Sequence, residues 1–271
     1  MVTGCLSCFW GEKSMQSFYA FHTDVGIKKK TNQDSLLIKE ANTSAGKILL
    51  MTICDGMGGL AKGEVASASV IQAFNQWFEK GLPTIMTADN RMEAAKQQWN
   101  AIIERMNNEI TNYGVSKGIQ LGTTVTALLI LEDGSYLIGH VGDTRVYRIT
   151  DSKVDILTQD QTFVAREIRE GRMTPEQAKI DPRRNTLLQC VGASPRVEVD
   201  YQEGKAQKDE IYMLCCDGFR HVLTNEEIQM NLSPKVCVNA DIAKNQLVYL
   251  IETNKQRREE DNITALLAKV W

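Results

Sequence analysis

The stretch Ile48-Leu49-Leu50-Met51-Thr52-Ile53-Cys54-Asp55-Gly56 decides how this 271-residue sequence folds. Its residues before the acid are apolar or β-branched, and a short run of this kind that ends at a turn signal is typical of a buried β-strand. The acid and a glycine follow directly, and the glycine lets the chain turn and lets its backbone approach a ligand closely. The stretch therefore predicts a strand over Lys47–Cys54 that carries Asp55 to the end of a sheet.

Three more acids stand at the ends of apolar runs further along the chain. The run Ile211–Cys216 leads into Asp217 and a glycine, Asp143 follows a short run with the glycine placed first, and Asp261 comes just before the last apolar run. A single Asp-Gly pair is most often a tight turn. Four such sites have a further explanation, because the loops at one end of two facing sheets can bring their acids together.

These four acids are a candidate metal site. Convergent carboxylates without basic partners in their motifs must either raise their pKa values or bind hard cations. Oxygen ligands select Mg²⁺, Mn²⁺ or Ca²⁺ over zinc or copper. Because the Asp-x-Asp-x-Asp-Gly pattern of a calcium loop is missing, we expect a catalytic Mg²⁺ or Mn²⁺ site.

Strand and helix patterns cluster along the chain instead of alternating strictly. Further strands are predicted at Phe18–His22, Ser35–Lys39, Thr123–Leu131, Ser135–Val141, Arg145–Ile149, Ile211–Cys215 and Ile263–Val270. Helices are predicted at Glu64–Lys80, Arg91–Tyr113 and about 240–254, and the first two keep apolar residues at three- or four-residue spacing,. This order favours an antiparallel or mixed α+β sandwich with helices outside the sheets.

The chain reads as one domain, residues 18–271, behind an N-terminal extension of residues 1–17. A polar insert at about 158–192 is predicted to hold a short helix near Gln159 and a second one that opens at Thr174-Pro175-Glu176-Gln177 with a capping box,. Such an insert is a candidate flap over a site.

Composition excludes several classes of function. A net charge of -3 and a pI near 5.8 leave no basic surplus for a nucleic-acid partner,. No apolar run is long enough to cross a membrane, and the start of the chain lacks a secretory pattern,. The seven cysteines are odd in number and lie mostly in core-like runs, so free thiols are expected, with Cys5 and Cys8 as ordinary thiols,. We expect a cytoplasmic monomer that binds neither nucleic acid nor membrane.

Covalent and nucleotide-dependent mechanisms find little support. The sequence has no Gly-x-Ser-x-Gly elbow, no phosphate-binding P-loop and no Cys-x₅-Arg cradle,. A Ser-His-Asp triad would need His22, His140 or His221,. Of these, His140 sits in a predicted strand and is more often a core residue than a catalyst.

Nine motifs, taken in order, resemble those of the metal-dependent protein phosphatases, the type 2C Ser/Thr phosphatases, in their bacterial form. They are Thr23–Gly26, Asn32–Ser35, Asp55–Gly59, Gly63–Ser67, Gly122–Thr124, Gly139–Arg148, Leu157–Asp160, Cys216–Gly218 and Asp261–Thr264. The resemblance implies a β-sandwich of two antiparallel sheets flanked by helix pairs, with the 158–192 insert as a flap that helps to select substrates. It also implies hydrolysis of phosphoserine and phosphothreonine in proteins by a hydroxide that two metal ions activate, in partnership with a cognate Ser/Thr kinase.

The resemblance also implies a set of Mn²⁺ or Mg²⁺ ligands. Asp55 would bridge two metals and the carbonyl of Gly56 would bind one of them; Asp217 and Asp261 would hold the other, and Asp34 would act through water. Asp143, with Asp217, would fit a third, weaker site. Asn262 would support Asp261 from the second layer of residues.

Three positions depart from the family pattern. Lys29 stands where an Arg usually grips the substrate phosphate, which keeps the charge but loses the bidentate fork; Lys28-Lys29-Lys30 is alternatively a solvated basic turn. Met57 stands where many eukaryotic relatives have a His proposed as general acid, although bacterial relatives often carry Met there, and Gln161 replaces a common His. Two other functions therefore stay open: a catalytically weak or inactive phosphoprotein-binding regulatory relative, and a phosphatase of small phosphorylated metabolites.

Overall fold

The computed structural model describes residues 15–57 and 62–271 and contains two five-stranded antiparallel sheets. The first has the spatial order β1 (Ser17–Asp24), β10 (Ile263–Val270), β9 (Glu210–Cys215), β6 (Arg145–Ile149) and β7 (Val154–Ile156). The second has the order β2 (Ser35–Thr43), β3 (Gly46–Cys54), β4 (Val125–Ile130), β5 (Ser135–Val141) and β8 (Asp200–Lys205). All pairs of neighbouring strands are antiparallel. The predicted α+β architecture of two antiparallel sheets is confirmed.

The helices lie in separate groups along the chain. Two long helices and a short one connect β3 to β4: α1 (Gly63–Lys80), α2 (Leu82–Ile85) and α3 (Arg91–Lys117). Two short helices fall within residues 158–192: α4 (Phe163–Arg169) and α5 (Pro175–Ile180). Three follow β9: α6 (Asp217–Arg220), α7 (Asn225–Leu232) and α8 (Ala240–Gln256). None of the helices in the described residues is long and apolar enough to cross a membrane.

The side chains of β3 explain why its sequence has no polar alternation. Leu49, Met51 and Ile53 belong to a core cluster that also contains residues of the first sheet and of α8. Ile48 and Leu50 point the other way, into a second cluster with α1, α2 and α3,. Because both faces of β3 are covered, every residue from Ile48 to Cys54 is buried.

Several helix ends follow the capping rules. The side chain of Asn90 accepts a hydrogen bond from the Glu93 amide at the start of α3, and α3 ends at Gly118 with φ +64,. Thr174 and Gln177 form the predicted capping box of α5,. The helix predicted near Gln159 starts later, because Thr162 is the residue that caps α4.

The structure adds elements that the sequence pattern did not indicate: β7, β8, α2, α6 and α7. The strand β8, Asp-Tyr-Gln-Glu-Gly-Lys, is an edge strand of mostly polar residues, half of them exposed, so it has no apolar run to reveal it,. The predicted strand over Thr123–Leu131 is shorter than expected. Thr123 forms isolated bridges with Gly56 and Val191 instead of joining β4.

Five cysteines fall within the described residues, and all are buried and free: Cys54, Cys190, Cys215, Cys216 and Cys237. This agrees with the expectation of unpaired thiols for that part of the chain. Cys5 and Cys8 lie outside the described residues, as do most of the predicted N-terminal extension and Gly58 and Gly59 of the Asp55–Gly59 motif.

Candidate metal centre

Strand register brings the predicted acids to one end of the sandwich. Ser35 pairs with Cys54, so Asp34, just before β2, and Asp55, just after β3, lie side by side. Ala265 pairs with Cys215, so the segments that carry Asp217 and Asp261 meet at the same end of the first sheet. The two sheet ends lie next to each other, because Asn262, just before β10, accepts a hydrogen bond from the Gln33 amide, beside Asp34. The charges of Asp34, Asp217, Asp143 and Asp261 all help to raise the pKa of Asp55.

Threonines after α3 hold Asp55 in place. The amide of Asp55 donates to Thr124 Oγ1 at 2.9 Å, and its carbonyl accepts from the Thr123 hydroxyl and the Thr124 amide, each at 2.9 Å. The next residue, Gly56, donates from its amide to the Gln33 carbonyl at 3.1 Å. A Cβ on Gly56 would lie 2.5 Å from that carbonyl oxygen, so only glycine fits between β3 and the Asp34 segment,.

Asp34 is the most unusual of the acids. Neither of its carboxylate oxygens has a hydrogen-bond partner, although both are buried. Burial is the main cause that raises the pKa of Asp34 to about 7. The nearby side chains of Thr264 and Cys216 oppose this rise, although neither makes a regular hydrogen bond to the carboxylate. Burial followed by the charge of Asp34 also raises the pKa of Asp55 well above its usual range. Within residues 15–57 and 62–271, neither acid forms a salt bridge that would stabilise its ionised form,.

Two other acids of the group contact basic side chains. Lys29 Nζ lies 2.9 Å from Asp261 Oδ1, and His221 Nε2 lies 3.4 Å from Asp217 Oδ2. Burial lowers the pKa of Lys29, but the hydrogen bond to Asp261 and the neighbouring acids outweigh it and raise the pKa. Lys29 therefore faces the acidic centre, which favours the phosphate-binding interpretation over a solvated turn.

His221 is itself held by another acid. Its Nδ1 lies 3.2 Å from Glu259 Oε2. Burial lowers the pKa of His221, but the hydrogen bond to Glu259 and the charge of Asp217 outweigh this effect and raise the pKa. Sequence reasoning treated this histidine only as a triad candidate; its place beside Asp217 depends on the turn of α6.

Asn262 ties the Lys29 loop to the last strand. Its Oδ1 accepts from the Gln33 amide at 2.9 Å, and its Nδ2 donates to the carbonyls of Val25 at 2.9 Å and Thr31 at 3.2 Å. The side chain is almost fully buried. Asn262 thus fixes the loop between β1 and β2, and its role in supporting the metal ligands stays a prediction.

Asp143 lies in a buried ionic network. Its main-chain carbonyl accepts from Arg220 Nη2 at 3.1 Å, and its carboxylate Oδ2 lies 3.6 Å from the same nitrogen. Arg220 Nη2 also lies 3.3 Å from Asp160 Oδ2, and Asp160 is bound by both Nε and Nη2 of Arg145 at 2.8 Å. Burial and then the charge of Asp217 raise the pKa of Asp143 to about 7, against the effect of Arg220. Sequence reasoning missed Arg220, whose partners lie far away in the chain.

The structure provides a role for Gln161 that its sequence position did not reveal. Its Oε1 accepts from the Gly142 amide at 2.8 Å, and its Nε2 donates to Asp200 Oδ2 at 2.7 Å. Oε1 also accepts from Gln189 Nε2 at 2.9 Å. Gln161 thus connects both ends of the 158–192 insert to β8 and to the loop that carries Asp143.

The donor chemistry of this centre fits a hard divalent cation. The acids supply only oxygen atoms, and Asp34 and Asp55 are buried beside each other without a neutralising partner,. Within residues 15–57 and 62–271, no three acidic, His or Cys side chains stand together as a complete set of metal ligands, and Lys29 and His221 hold two of the acids. The individual ligand roles of Asp34, Asp55, Gly56, Asp143, Asp217 and Asp261 stay predictions.

Known proteins are similar to this chain in sequence. A family model described as protein phosphatase 2C matches residues 26–250. The serine/threonine protein phosphatase PstP of Mycobacterium tuberculosis is 32% identical over 93% of the chain, which spans 45% of that protein's length. The serine/threonine phosphatase stp of Listeria innocua is 30% identical, and the match covers 92% of the chain and 94% of the relative.

Solved structures with a similar fold are also serine/threonine phosphatases. A serine/threonine phosphatase of S. agalactiae superposes with a TM-score of 0.78 at 25% identity, over 94% of this chain and 99% of the other. The catalytic domain of PstP in complex with two manganese ions gives a TM-score of 0.74 at 27% identity, over 94% of this chain and 99% of that domain.

Proposed function

Since the chain belongs to the protein phosphatase 2C family, we propose that its acidic centre is the place where phosphoserine and phosphothreonine are hydrolysed. The protein is a metal-dependent Ser/Thr protein phosphatase, and its substrates are phosphorylated proteins. One observation carries the assignment of the site: strand register brings Asp34 beside Asp55 and the Asp217 segment beside the Asp261 segment, and Asp34, Asp217 and Asp261 are near enough to raise the pKa of Asp55.

Two divalent ions, Mn²⁺ or Mg²⁺, belong to this centre. Asp55 and the Gly56 carbonyl would hold one ion. Asp55, together with Asp217 and Asp261, would hold the other ion, and Asp34 would act through water. When bound, such ions lower the pKa of water so that hydroxide attacks phosphorus at neutral pH, and they neutralise the phosphoryl oxygens. A structure of the PstP catalytic domain with two manganese ions supports this number.

The residues of the chain supply binding and orientation. Lys29 lies among the acids at the edge of the centre, with its side chain 31% exposed, so its ammonium can bind a phosphate oxygen that enters from solvent,. Asn262 holds the Lys29 loop against the start of β10. Glu259 orients His221, which in turn contacts Asp217. Met57 follows the Asp55-Gly56 pair and has no proton to donate, so water protonates the leaving alkoxide.

The 158–192 insert is proposed to be a flap of one phosphatase domain that extends over residues 18–271. Gln161 and Gln189 anchor both ends of the insert beside the Asp143 loop, which supports a role next to the site. A partner Ser/Thr kinase would supply the phosphorylated substrates. The buried free thiols of the described region support work in the reducing cytoplasm,, and we expect the protein to act there as a monomer.

A catalytically weak or inactive phosphoprotein-binding relative is the alternative. Its main support in the sequence is that Lys29 stands where members of the family usually have an Arg. Lys29 nevertheless contacts Asp261 and is coupled to Asp55 and Asp217, so a positive charge is present where a phosphate would bind. A metabolite phosphatase has no specific observation in its favour.

The test is release of phosphate from a phosphothreonine peptide by the purified protein, first with Mn²⁺ and then with excess EDTA. We expect hydrolysis with Mn²⁺ and none with EDTA, and faster turnover of the peptide than of a sugar phosphate. If the protein binds Mn²⁺ and the phosphopeptide but releases no phosphate, the binding-module alternative holds instead.

A further inference from the structure

We propose that Arg220 is a permanent cation of the centre that stands in for a third divalent ion beside Asp143. The inference rests on the proposed metal centre. It concerns only the Asp143 side of that centre, where the resemblance to the family allows a third, weaker ion held by Asp143 and Asp217.

Arg220 reaches Asp143 from the short helix that begins with Asp217. Its Nη2 donates to the Asp143 carbonyl at 3.1 Å and lies 3.6 Å from the Asp143 carboxylate. The side chains of Arg220 and Asp143 are 13% and 10% exposed, so water screens their attraction only weakly,. The guanidinium thus lies against the main-chain carbonyl and the carboxylate of Asp143, the two groups with which Asp143 would bind a cation.

Arg220 lies between two carboxylates, with its Nη2 3.3 Å from Asp160 and 3.6 Å from Asp143. Asp160 is the other acid in reach, but Arg145 already binds both oxygens of Asp160 with two hydrogen bonds of 2.8 Å. Arg145 therefore already balances the charge of Asp160. The second positive charge of the network, on Arg220, is left to balance Asp143.

This cation is fixed in both charge and position. A guanidinium does not lose its proton in proteins, unlike a Lys or His side chain. The Nε of Arg220 is buried and has no hydrogen-bond partner, so the side chain is held by packing and by the Nη2 contacts. A divalent ion that entered beside Asp143 would meet this charge at short range and would have to displace it.

Two consequences follow for the centre. It should hold two divalent ions, and Asp143 should contribute to them little or nothing. Arg220 instead acts as a positioning residue, because it connects the helix that carries Asp217 with the Asp143 loop and with Asp160 at the base of the 158–192 insert.

The experiment is the stoichiometry of Mn²⁺ binding, measured by equilibrium dialysis on the full chain and by calorimetric titration. We expect two ions in the wild type and also two in Asp143→Asn. Arg220→Ala should gain a third ion, Arg220→Lys should keep two because the charge remains, and the double variant Arg220→Ala/Asp143→Asn should return to two. Arg148→Ala is the matched control, since Arg148 is another partly buried Arg with an acidic partner, Asp155.

The outcomes separate this inference from the proposed function. Three ions in the wild type with one lost in Asp143→Asn would overturn the role of Arg220 and leave the two-metal centre intact. A folded Arg220→Ala that still binds two ions would also overturn it. If Arg220→Ala does not fold, the comparison of wild type with Asp143→Asn decides alone. Failure of the wild type to bind Mn²⁺, or binding unchanged in Asp217→Asn, would overturn the metal centre itself and this inference with it.

Discussion

Replacing Asn262 by Ala should loosen the entire Lys29 loop. The change removes three hydrogen bonds of an almost fully buried side chain, to the Gln33 amide and to the carbonyls of Val25 and Thr31. A typical intramolecular hydrogen bond contributes about 1 kcal/mol to stability, and buried groups left without partners cost somewhat more. The free energy of unfolding should therefore fall by roughly 3 kcal/mol.

The assay is urea unfolding followed by circular dichroism, in EDTA so that metal binding does not add to the stability of either protein. Asn108→Ala is the matched control, because Asn108 is exposed on α3, and a surface change of this kind should stay within about 0.5 kcal/mol. With Mn²⁺ present, we also expect Asn262→Ala to raise the KM for a phosphopeptide, since Lys29 belongs to the loop that Asn262 holds. A loss of stability no larger than that of the control would refute the reasoning.

The remaining predictions concern charge at the centre. Asp217→Asn should abolish Mn²⁺-dependent turnover while the fold persists in circular dichroism; full turnover would contradict the two-metal assignment. Lys29→Ala should raise KM about tenfold or more with a smaller effect on kcat, as expected for loss of a charge-assisted contact of about 1.5 kcal/mol. Lys29→Arg, which keeps the charge, should keep the low KM. Unchanged kinetics in Lys29→Ala would mean that this lysine belongs to a solvated turn. The pKa values of Asp34 and Asp143 are raised to about 7, so the folded protein without metal binds more protons than the unfolded chain between about pH 4 and pH 7. Its stability in EDTA should fall as the pH rises through that window and level off above it, and Asp143→Asn should flatten the slope. A stability that increases over the same window would show that the pKa values of these acids are not raised in the folded protein.

The primary sequence determined the fold class and the acids through local patterns. The uninterrupted apolar run of β3 requires cover on both faces, and the structure supplies it with the other sheet on one side and α1, α2 and α3 on the other. The Asp-Gly pairs after β3 and β9 were visible because strand, acid and glycine are adjacent in the chain. The edge strand β8 escaped prediction, since a polar strand with an exposed face carries no periodic apolar signal,.

Only the tertiary structure decided which charges meet. Lys29 and Asp261 stand 232 positions apart by their numbers and are joined because β1 and β10 are neighbours. Arg220 of α6 contacts Asp143, and Gln161 contacts the backbone amide of Gly142 and the side chain of Asp200 on β8. Such pairs depend on strand register and on the angle at which each loop leaves its sheet. No spacing along the chain encodes these quantities, because they arise from long-range packing.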